Sequence, residues 1–184
     1  MFTLDQIKAR RSVRTFDGRA LTEEDRNRLF EFAKTIENPY GIPVEFVYLD
    51  AAEHGLSSPV IKGEKAYIAG KVPNVRNSEV AYGYSFEQLV LYAWTLGIGT
   101  TWMGATMKRP VFEKAADVKD GEQMYCVTPV GYPASKMALK EIAMRKGVKA
   151  DTRKAAEEMF FEGGFTVPLK TNDAVIRDAL ESWA

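Results

Sequence analysis

The sequence predicts a layered α+β fold built around one long buried helix. Two observations lead to this prediction. Helical patterns outnumber strand patterns and alternate with them along the chain, as in layered α+β proteins. One segment, residues 78–96, is apolar around most of a helical circumference, which is typical of a central helix.

The first two helices are predicted from the residues that start them. Thr3-Leu4-Asp5-Gln6 has the pattern of a capping box, and it opens a short helix that ends near Arg10. Thr22-Glu23-Glu24-Asp25 opens a second helix, and Asn38-Pro39-Tyr40-Gly41 breaks it. The core-facing stripe of this second helix comprises Leu29, Phe30, Phe32, Ala33 and Ile36.

The central part of the chain combines strands with the strongest helix. Residues 44–50 and 66–72 are rich in β-branched and aromatic side chains and predict two strands. The helix over 78–96 ends at Gly97, a residue favoured at helix C-termini. Its predicted stripe comprises Val80, Tyr84, Leu91, Trp94 and Thr95, and it is widened by Phe86, Leu89, Val90 and Ala93. Residues 100–103 predict a short extended segment.

The second half of the chain predicts one strand and four helices. The strand covers 125–130 and is closed by Gly131-Tyr132-Pro133. The predicted helices cover residues 109–116, 136–146, 153–161 and 172–183. No internal repeat or low-complexity linker interrupts the pattern, so the 184 residues predict one domain.

Composition excludes several classes of protein. Lys+Arg and Asp+Glu both number 25, which argues against a surface built for nucleic acid or anionic membrane. The single cysteine, Cys126, excludes an internal disulfide, and the single histidine, His54, leaves too few ligands for an ordinary zinc site. No signal peptide and no apolar run of roughly 20 residues is visible, so we expect a soluble cytoplasmic protein without a membrane span.

Nucleophilic catalysis finds no support in the sequence. A Ser-His-Asp triad requires His54, which lies in a loop-like stretch, and no Gly-x-Ser-x-Gly elbow is present. Gly97, Gly99 and Gly104 do not form a dinucleotide fingerprint, since they follow a helix and the third glycine comes too late. These small residues instead permit a close approach of another group to the backbone, or simply a tight turn from helix to strand.

Arg10-Arg11-Ser12-Val13-Arg14 is the most informative cluster. Three guanidiniums and a hydroxyl lie within five residues, and guanidinium forks match phosphate oxygens two at a time. The cluster therefore indicates a phosphate pocket, and the alternative is a solvated basic turn. A second basic pair, Arg153-Lys154, either shares that phosphate or is an ordinary charge pair at a helix end.

Four segments together resemble the flavin-dependent nitroreductase family. They appear in the family's order: RRSVRTF at Arg10–Phe16, LGIGTTWMG at Leu96–Gly104, TPVGYPA at Thr128–Ala134, and RKAAEE at Arg153–Glu158. Four ordered matches are far more specific than any one of them. The resemblance implies a nitroreductase-like α+β fold, with a central mixed or antiparallel sheet flanked by helices around the long buried helix.

The resemblance also implies a chemistry. Such proteins bind FMN without a covalent link and usually form homodimers. NAD(P)H reduces the flavin, and the flavin reduces nitroaromatics, quinones or similar small-molecule acceptors in a ping-pong cycle. This chemistry needs no protein nucleophile, base or metal, so no catalytic or metal-binding residue is predicted. Neither nucleic acid nor membrane is an expected partner.

Family positions assign the cofactor-binding residues. Arg10, Ser12 and Arg153 would hold the FMN phosphate, and Arg11 and Lys154 would assist. Arg14 would reach the pyrimidine side of the ring, where a fixed cation would raise the reduction potential of the flavin. Along the isoalloxazine, backbone amides would donate hydrogen bonds from Thr100, Thr101, Trp102, Met103 and Gly104.

The sequence also departs from the family pattern. Many relatives carry an early A-P-S-x-x-N-x-Q-P-W stretch that helps close the flavin pocket, and residues 35–43 lack it. In one subgroup, a fused C-terminal half resembles a dimer partner and supplies that motif, and this chain stops about where that half would begin. A single FMN-binding domain over 1–184 is therefore expected, as a shortened member whose pocket is either incomplete or completed by another subunit. Asp151 stands two residues before Arg153, at a position where some relatives have a basic residue, and it would weaken phosphate binding.

Two other functions stay open from the sequence. One is a flavin-binding, flavin-storage or interaction protein of the same fold without turnover, which the missing motif favours. The other is a nucleic-acid binder using the basic cluster, which the zero net charge and the scattered aromatic residues disfavour.

Overall fold

The computed structural model describes residues 2–152, 154–170 and 174–183, without the side chains of 180–183. Five strands form one sheet: β1 (Glu45–Asp50), β2 (Ala66–Pro73), β3 (Gly99–Thr100), β4 (Glu122–Gln123) and β5 (Val127–Gly131). The hydrogen-bonded order is β1-β2-β5-β3, and β4 pairs with the end of β2. These pairs are all antiparallel, with Leu49 opposite Tyr67 and Thr100 opposite Val130.

The described part of the chain contains six α-helices: α1 (Leu4–Ala9), α2 (Glu23–Ala33), α3 (Ser78–Thr95), α4 (Arg109–Ala115), α5 (Leu139–Gly147) and α6 (Ala174–Trp183). The predicted capping box is confirmed, because Thr3 and Gln6 exchange side-chain and backbone hydrogen bonds at the start of α1. Gly97 adopts a positive φ of 74° after α3, as its predicted place at the helix end requires. None of the helices in the described part of the chain combines the length and the apolar character of a membrane span.

Both faces of the sheet are covered, and alternate side chains of β2 contribute to the hydrophobic core on each face. Along a strand, successive side chains point to opposite faces. Tyr67 and Ala69 therefore pack with Phe112 of α4, whereas Ala66 and Ile68 pack with α2 and α3 through Leu29, Leu89 and Ala93. This double coverage explains why seven of the eight residues of β2 are buried.

The chain divides into two compact units, Met1–Glu141 and Ile142–Ala184. The first unit contains the whole sheet, α1 to α4 and the first residues of α5. The second contains the rest of α5, a single 3-10 turn at Ala156–Glu158 and α6. The residues described below as a site all belong to the first unit.

The predicted helix over 153–161 is wrong. Its described residues form only the 3-10 turn, because the chain then folds back on itself. Phe161 pairs with Pro168, and the amide of Leu169 donates to the carbonyl of Phe160 at 2.9 Å. Gly163, with φ at 69°, allows this reversal. Its start, Arg153, and residues 172–173 of the last predicted helix lie outside the described residues.

The predicted stripe of α3 needs a correction as well. Phe86, Leu89, Val90, Leu91 and Ala93 are buried, but Val80 and Tyr84 are about half exposed, at 47% and 51%. The reason is that α3 covers the sheet with one face only, so the helix is buried along one side and open along the other. Because α3 carries apolar residues on several sides, its sequence pattern did not indicate which side is exposed.

Candidate functional site

The residues that follow α1 form isolated backbone bridges, one of them to the edge strand β3. Ser12 pairs in parallel with Thr100, and the amide of Val13 donates to the Thr100 carbonyl at 2.9 Å. Thr15 pairs in parallel with Lys62, whose carbonyl accepts from the amide of Phe16 at 2.8 Å. The basic cluster is thus bound on two sides by backbone hydrogen bonds and is not a solvated turn.

The guanidinium of Arg10 is partly buried and has open hydrogen-bond donors. Its Nε and Nη2 atoms are buried and have no hydrogen bond. Burial lowers the pKa of this guanidinium; Glu87 opposes that shift, and Arg14 adds to it. A buried cation with open donors is costly unless an anion completes it, so this site suits an anionic ligand.

Thr100 presents a second open polar atom beside the cluster. Its side chain is 2% exposed, and its Oγ1 has no hydrogen-bond partner. Since Thr100 is the backbone partner of Ser12 and Val13, this hydroxyl belongs to the same edge of the sheet as the arginines. Both orphaned groups fit a ligand rich in acceptor oxygens, such as a phosphate ester.

Arg14 is fixed by a buried carboxylate. Glu141, only 3% exposed, accepts from the Arg14 amide at 3.2 Å and from the Thr15 hydroxyl at 2.6 Å. The carbonyl of Arg14 accepts from the amide of Lys62 at 2.9 Å. The backbone of Arg14 is therefore held at both ends, while its side chain lines a cavity of about 250 Å³ together with Lys62 and Lys140.

Trp102 lies at the open side of this edge. Its indole N–H donates to Glu87 at 2.8 Å, and its ring meets the buried Phe86 edge-on, with centroids 4.9 Å apart. The side chain is nevertheless 39% exposed. A large aromatic surface that is fixed but open to solvent can cover one face of a planar ligand.

The rest of the glycine-rich segment is largely occupied by the protein itself. The Thr101 amide donates to the Thr128 hydroxyl at 2.9 Å, and Met103 exchanges two backbone hydrogen bonds with Val127, at 2.8 and 2.9 Å. Gly104 is exposed, and a Cβ there would meet only the carbonyl of Tyr125, at 3.7 Å. The segment is rigid through Met103 and open at Gly104.

Arg11, Arg153 and Lys154 are the other basic residues predicted to serve the phosphate. The guanidinium of Arg11 lies over the ring of Trp94, 5.9 Å from its centroid. Arg153 lies outside the described residues. Lys154 is exposed in the second unit, and in the same unit Asp151 forms an ion pair with Arg145. The structure therefore brings together Arg10, Ser12, Arg14 and the segment from Thr100 to Gly104.

Sequence reasoning missed three residues at this edge: Lys62, Glu87 and Glu141. Glu87 left a signal, because it is the only acidic residue between Ser85 and Thr95, in a stretch that is otherwise mostly apolar. A charge in such a place is retained only with a partner. Lys62 and Glu141 left none, since both reach the cluster through contacts distant in sequence.

The single cysteine and the single histidine, Cys126 and His54, lie outside this edge. The buried Cys126 lies beneath Tyr82, and burial raises the pKa of its thiol to about 12, so it is not a nucleophile at neutral pH. His54 is exposed and lines a cleft of about 510 Å³ together with Glu53 and α4 residues. No serine or cysteine is among the residues that line this cleft.

Comparison with known proteins identifies the family. The model of the family described as "Putative TM nitroreductase" matches residues 3–168, which is most of the chain. The chain belongs to this nitroreductase family. The resemblance seen in the sequence is confirmed. None of the curated proteins compared with this chain matches it.

Solved structures share the fold of this chain at low sequence identity. One is "the oxidoreductase containing FMN", 18% identical, with a TM-score of 0.68 over 88% of this chain and 92% of that one. Another is a "Putative NADH dehydrogenase/NAD(P)H nitroreductase" from Parabacteroides distasonis, 19% identical, with a TM-score of 0.65 over 88% and 97%. An "FMN-dependent Nitroreductase" from Clostridium difficile is 16% identical, with a TM-score of 0.60 over 78% and 96%. The predicted nitroreductase-like α+β fold is confirmed.

Proposed function

We propose that this chain is an FMN-dependent oxidoreductase that passes electrons from NAD(P)H to nitroaromatic, quinone or similar acceptors by a ping-pong mechanism. The observation that carries the proposal is a set of three buried polar atoms without a hydrogen-bond partner: Nε and Nη2 of Arg10 and the hydroxyl of Thr100. Family membership supports the flavin, and neighbours with FMN in their names support it further.

The residues present fit FMN. Arg10, Ser12 and Thr100 offer donors for the phosphate, and the family resemblance alone adds Arg11, Arg153 and Lys154 as proposed phosphate ligands. Arg14 would serve the pyrimidine side, and Trp102 with Gly104 would line the ring. When bound, FMN supplies the hydride and electron chemistry that the side chains of this protein do not.

The work left to the chain is electrostatics and orientation. Arg10 provides a charge that is already desolvated, so a phosphate gains a strong, charge-assisted contact without further ordering of the site. The backbone of Arg14 is fixed by Glu141 and Lys62, which holds its cation in one region of the site. We further propose a homodimer, in which a segment of the second subunit other than its own residues 35–43 would close the pocket.

One observation favours the second candidate, a flavin-binding protein without turnover. Asn38, in the segment that lacks the family motif, uses its side chain on its own loop. Its amide nitrogen donates to the Ile42 carbonyl at 2.7 Å, and its oxygen accepts from the amide of Tyr40 at 3.1 Å. This asparagine is therefore engaged in structure and not offered to a ligand.

The test is a visible absorption spectrum of the purified protein with FMN added. We expect bound oxidised flavin that NADH or NADPH bleaches without oxygen, and that a quinone then restores. Arg10→Ala should weaken FMN binding much more than riboflavin binding, because the substitution removes donors to the phosphate, a group that riboflavin does not have. Flavin that binds but is not bleached would support the second candidate, and no binding at saturating FMN would overturn both.

A further inference from the structure

The backbone on both sides of Trp102 is fixed to β5. The Thr101 amide donates to the Thr128 hydroxyl at 2.9 Å, and Met103 exchanges two backbone hydrogen bonds with Val127. The side chain of Trp102 therefore starts from a defined position, and the orientation of its indole depends only on its own side-chain torsions.

The indole of Trp102 packs on a buried series of aromatic rings. It meets Phe86 edge-on, with centroids 4.9 Å apart, and Phe86 is stacked on Tyr82 with centroids 5.4 Å apart. Phe86 and Tyr82 are both buried, and the Tyr82 hydroxyl accepts from the Gly70 amide at 3.2 Å. The indole thus rests on a rigid support, because close-packed interiors deform little.

Glu87 holds the indole at its N–H. Its Oε2 accepts the indole N–H at 2.8 Å, and a hydrogen bond to an ionised carboxylate is among the stronger kinds. The positions three and four residues away on α3 carry no lysine or arginine, so no ion pair within the helix accounts for this carboxylate. In the described part of the chain, the Trp102 indole is the only hydrogen-bond partner of the carboxylate.

Trp102 nevertheless keeps a large part of its surface open, since 39% of its side chain is exposed. Ordering a side chain costs conformational entropy. For Trp102 this cost is met before a ligand arrives, so a planar ring that stacks on the indole does not have to order it. Gly104, two residues later, is exposed and has no Cβ to obstruct such a ring.

We propose that Glu87 is a positioning residue that presets the Trp102 indole as a stacking surface for a planar aromatic ring, here the isoalloxazine of the flavin. Glu87 acts through the indole and does not itself have to touch the ligand. Its effect therefore concerns the ring system, which FMN and riboflavin share, and not the phosphate, which only FMN carries. The inference rests on the proposed function in one respect, because it takes the planar ligand to be a flavin.

The experiment measures FMN and riboflavin affinity by calorimetric titration of wild type, Glu87→Leu and Glu87→Gln. Leucine removes the acceptor, so we expect both affinities to fall about fivefold, because the ligand must then order the indole itself. Glutamine keeps an oxygen for the indole and should restore both affinities to within about twofold of wild type. Glu79→Leu, at an exposed position in the first turn of the same helix, is the matched control and should leave both affinities unchanged.

A double-mutant cycle shows whether Glu87 acts through Trp102. Trp102→Leu removes the stacking surface and should weaken the binding of both flavins at least as much as Glu87→Leu does. In the Trp102→Leu background, Glu87→Leu should then have no further effect, whereas independent roles would make the two losses add. If Glu87→Leu does not fold, Trp102→Phe carries the same test. Phenylalanine keeps a ring but has no N–H for the carboxylate, so it should weaken the binding of both flavins by the same factor.

Fluorine NMR of protein labelled with 5-fluorotryptophan provides a readout that needs no flavin. The chain has three tryptophans, and the resonance that disappears in Trp102→Phe is that of Trp102. In Glu87→Leu the transverse relaxation of this resonance should slow toward that of a mobile side chain. Glu87→Gln and Glu79→Leu should relax as wild type does.

The outcomes separate this inference from the proposed function. If wild type binds FMN but Glu87→Leu leaves both affinities unchanged, or if its loss adds to that of Trp102→Leu, the positioning role is refuted and the flavin site stands. A loss confined to FMN would also refute it, because the effect would then depend on the phosphate. If wild type binds neither flavin, the proposed function fails, and fluorine relaxation still decides whether Glu87 orders the indole.

Discussion

Gly99 and Val13 approach each other so closely that a Cβ on Gly99 would stand 2.8 Å from the Val13 Cβ and Cγ1. This close approach lets the arginine-bearing segment pair with β3. We therefore expect Gly99→Ala to lower the free energy of unfolding by about 1–3 kcal/mol, as overpacking does, and to weaken FMN binding. Denaturant unfolding and flavin titration measure the two effects.

Gly83→Ala is the control for that substitution. Gly83 lies within α3, and a Cβ there would meet nothing within 4 Å. Alanine is the better helix former by about 0.5–1 kcal/mol, so this variant should be slightly more stable than wild type. If Gly99→Ala behaved like Gly83→Ala, the close approach would have no energetic significance.

Thr100→Val should separate stability from binding. The Thr100 hydroxyl is buried without a partner, and leaving such a group unsatisfied costs about 1–3 kcal/mol. The isosteric valine removes the group, so we expect the ligand-free protein to become more stable by about 1 kcal/mol while FMN affinity falls several-fold. Thermal unfolding without flavin and fluorescence titration with flavin would show these opposite changes.

Thr128→Val is the matched comparison on the neighbouring strand. Its hydroxyl accepts from the Thr101 amide at 2.9 Å and donates to the Pro129 carbonyl at 2.8 Å. Valine leaves the buried amide unpaired, which should cost about 1–3 kcal/mol of unfolding free energy. Similar decreases in stability for both variants would mean that the Thr100 hydroxyl has a partner within the protein.

Glu141→Gln should destabilise the first unit and loosen Arg14. The carboxylate accepts from the Thr15 hydroxyl and the Arg14 amide, and Thr15 Oγ1 also accepts from the amide of Ala138 at 3.0 Å. Because the amide keeps only one of the two acceptor oxygens, we expect a decrease of about 1–2 kcal/mol in unfolding free energy by chemical denaturation. Glu31→Gln, at an exposed site, should stay within about 0.5 kcal/mol of wild type in unfolding free energy. We call the two hydrogen bonds that Glu141 accepts from Arg14 and Thr15 the Glu141 clamp. A decrease for Glu141→Gln no larger than that for Glu31→Gln would contradict a stabilising role of this clamp.

Cys126 provides a prediction for alkaline pH. Burial raises the pKa of its thiol from 9.0 to about 12, so the folded state disfavours the thiolate. The associated stability is complete below pH 9 and is lost as the pH rises toward 12. Wild type should therefore lose more unfolding free energy across this interval than Cys126→Ala does, as paired pH titrations of unfolding would show.

Iodoacetamide labelling checks the same thiol directly. At pH 8 the folded protein should react far more slowly than the protein unfolded in guanidinium chloride, since both the thiolate fraction and access are reduced. Cys126 is the single cysteine, so one mass shift reports the reaction. Equal rates in the two states would contradict the burial of this thiol.

Prediction from sequence succeeded where the signal was local. The capping box of Thr3 and the continuous apolar run of β2 each depend on adjacent residues, and both are confirmed. The basic cluster was found because three arginines stand within five positions. Family order then linked it to the Thr100 segment, and the parallel pairing of Ser12 with Thr100 places the two side by side.

The failures arose where distant segments decide the structure. The helix predicted after residue 153 gives way to a reversal that pairs Phe161 with Pro168. Lys62 and Glu141 reach the arginine segment across long sequence separations, which no local pattern encodes. Val80 and Tyr84 have the apolar character of core residues, yet they face outward because α3 covers the sheet with one side only.

The clamp of Glu141 on Arg14 and Thr15 also has a consequence for synthesis. Glu141 follows Arg14 by 127 residues and Thr15 by 126 residues, so these hydrogen bonds cannot form until that much more of the chain has been synthesised. Contacts of such long range form slowly, and at ordinary elongation rates the wait lasts several seconds. The contacts of Glu141 with the arginine segment therefore form late in synthesis, only after residue 141 has been added to the chain.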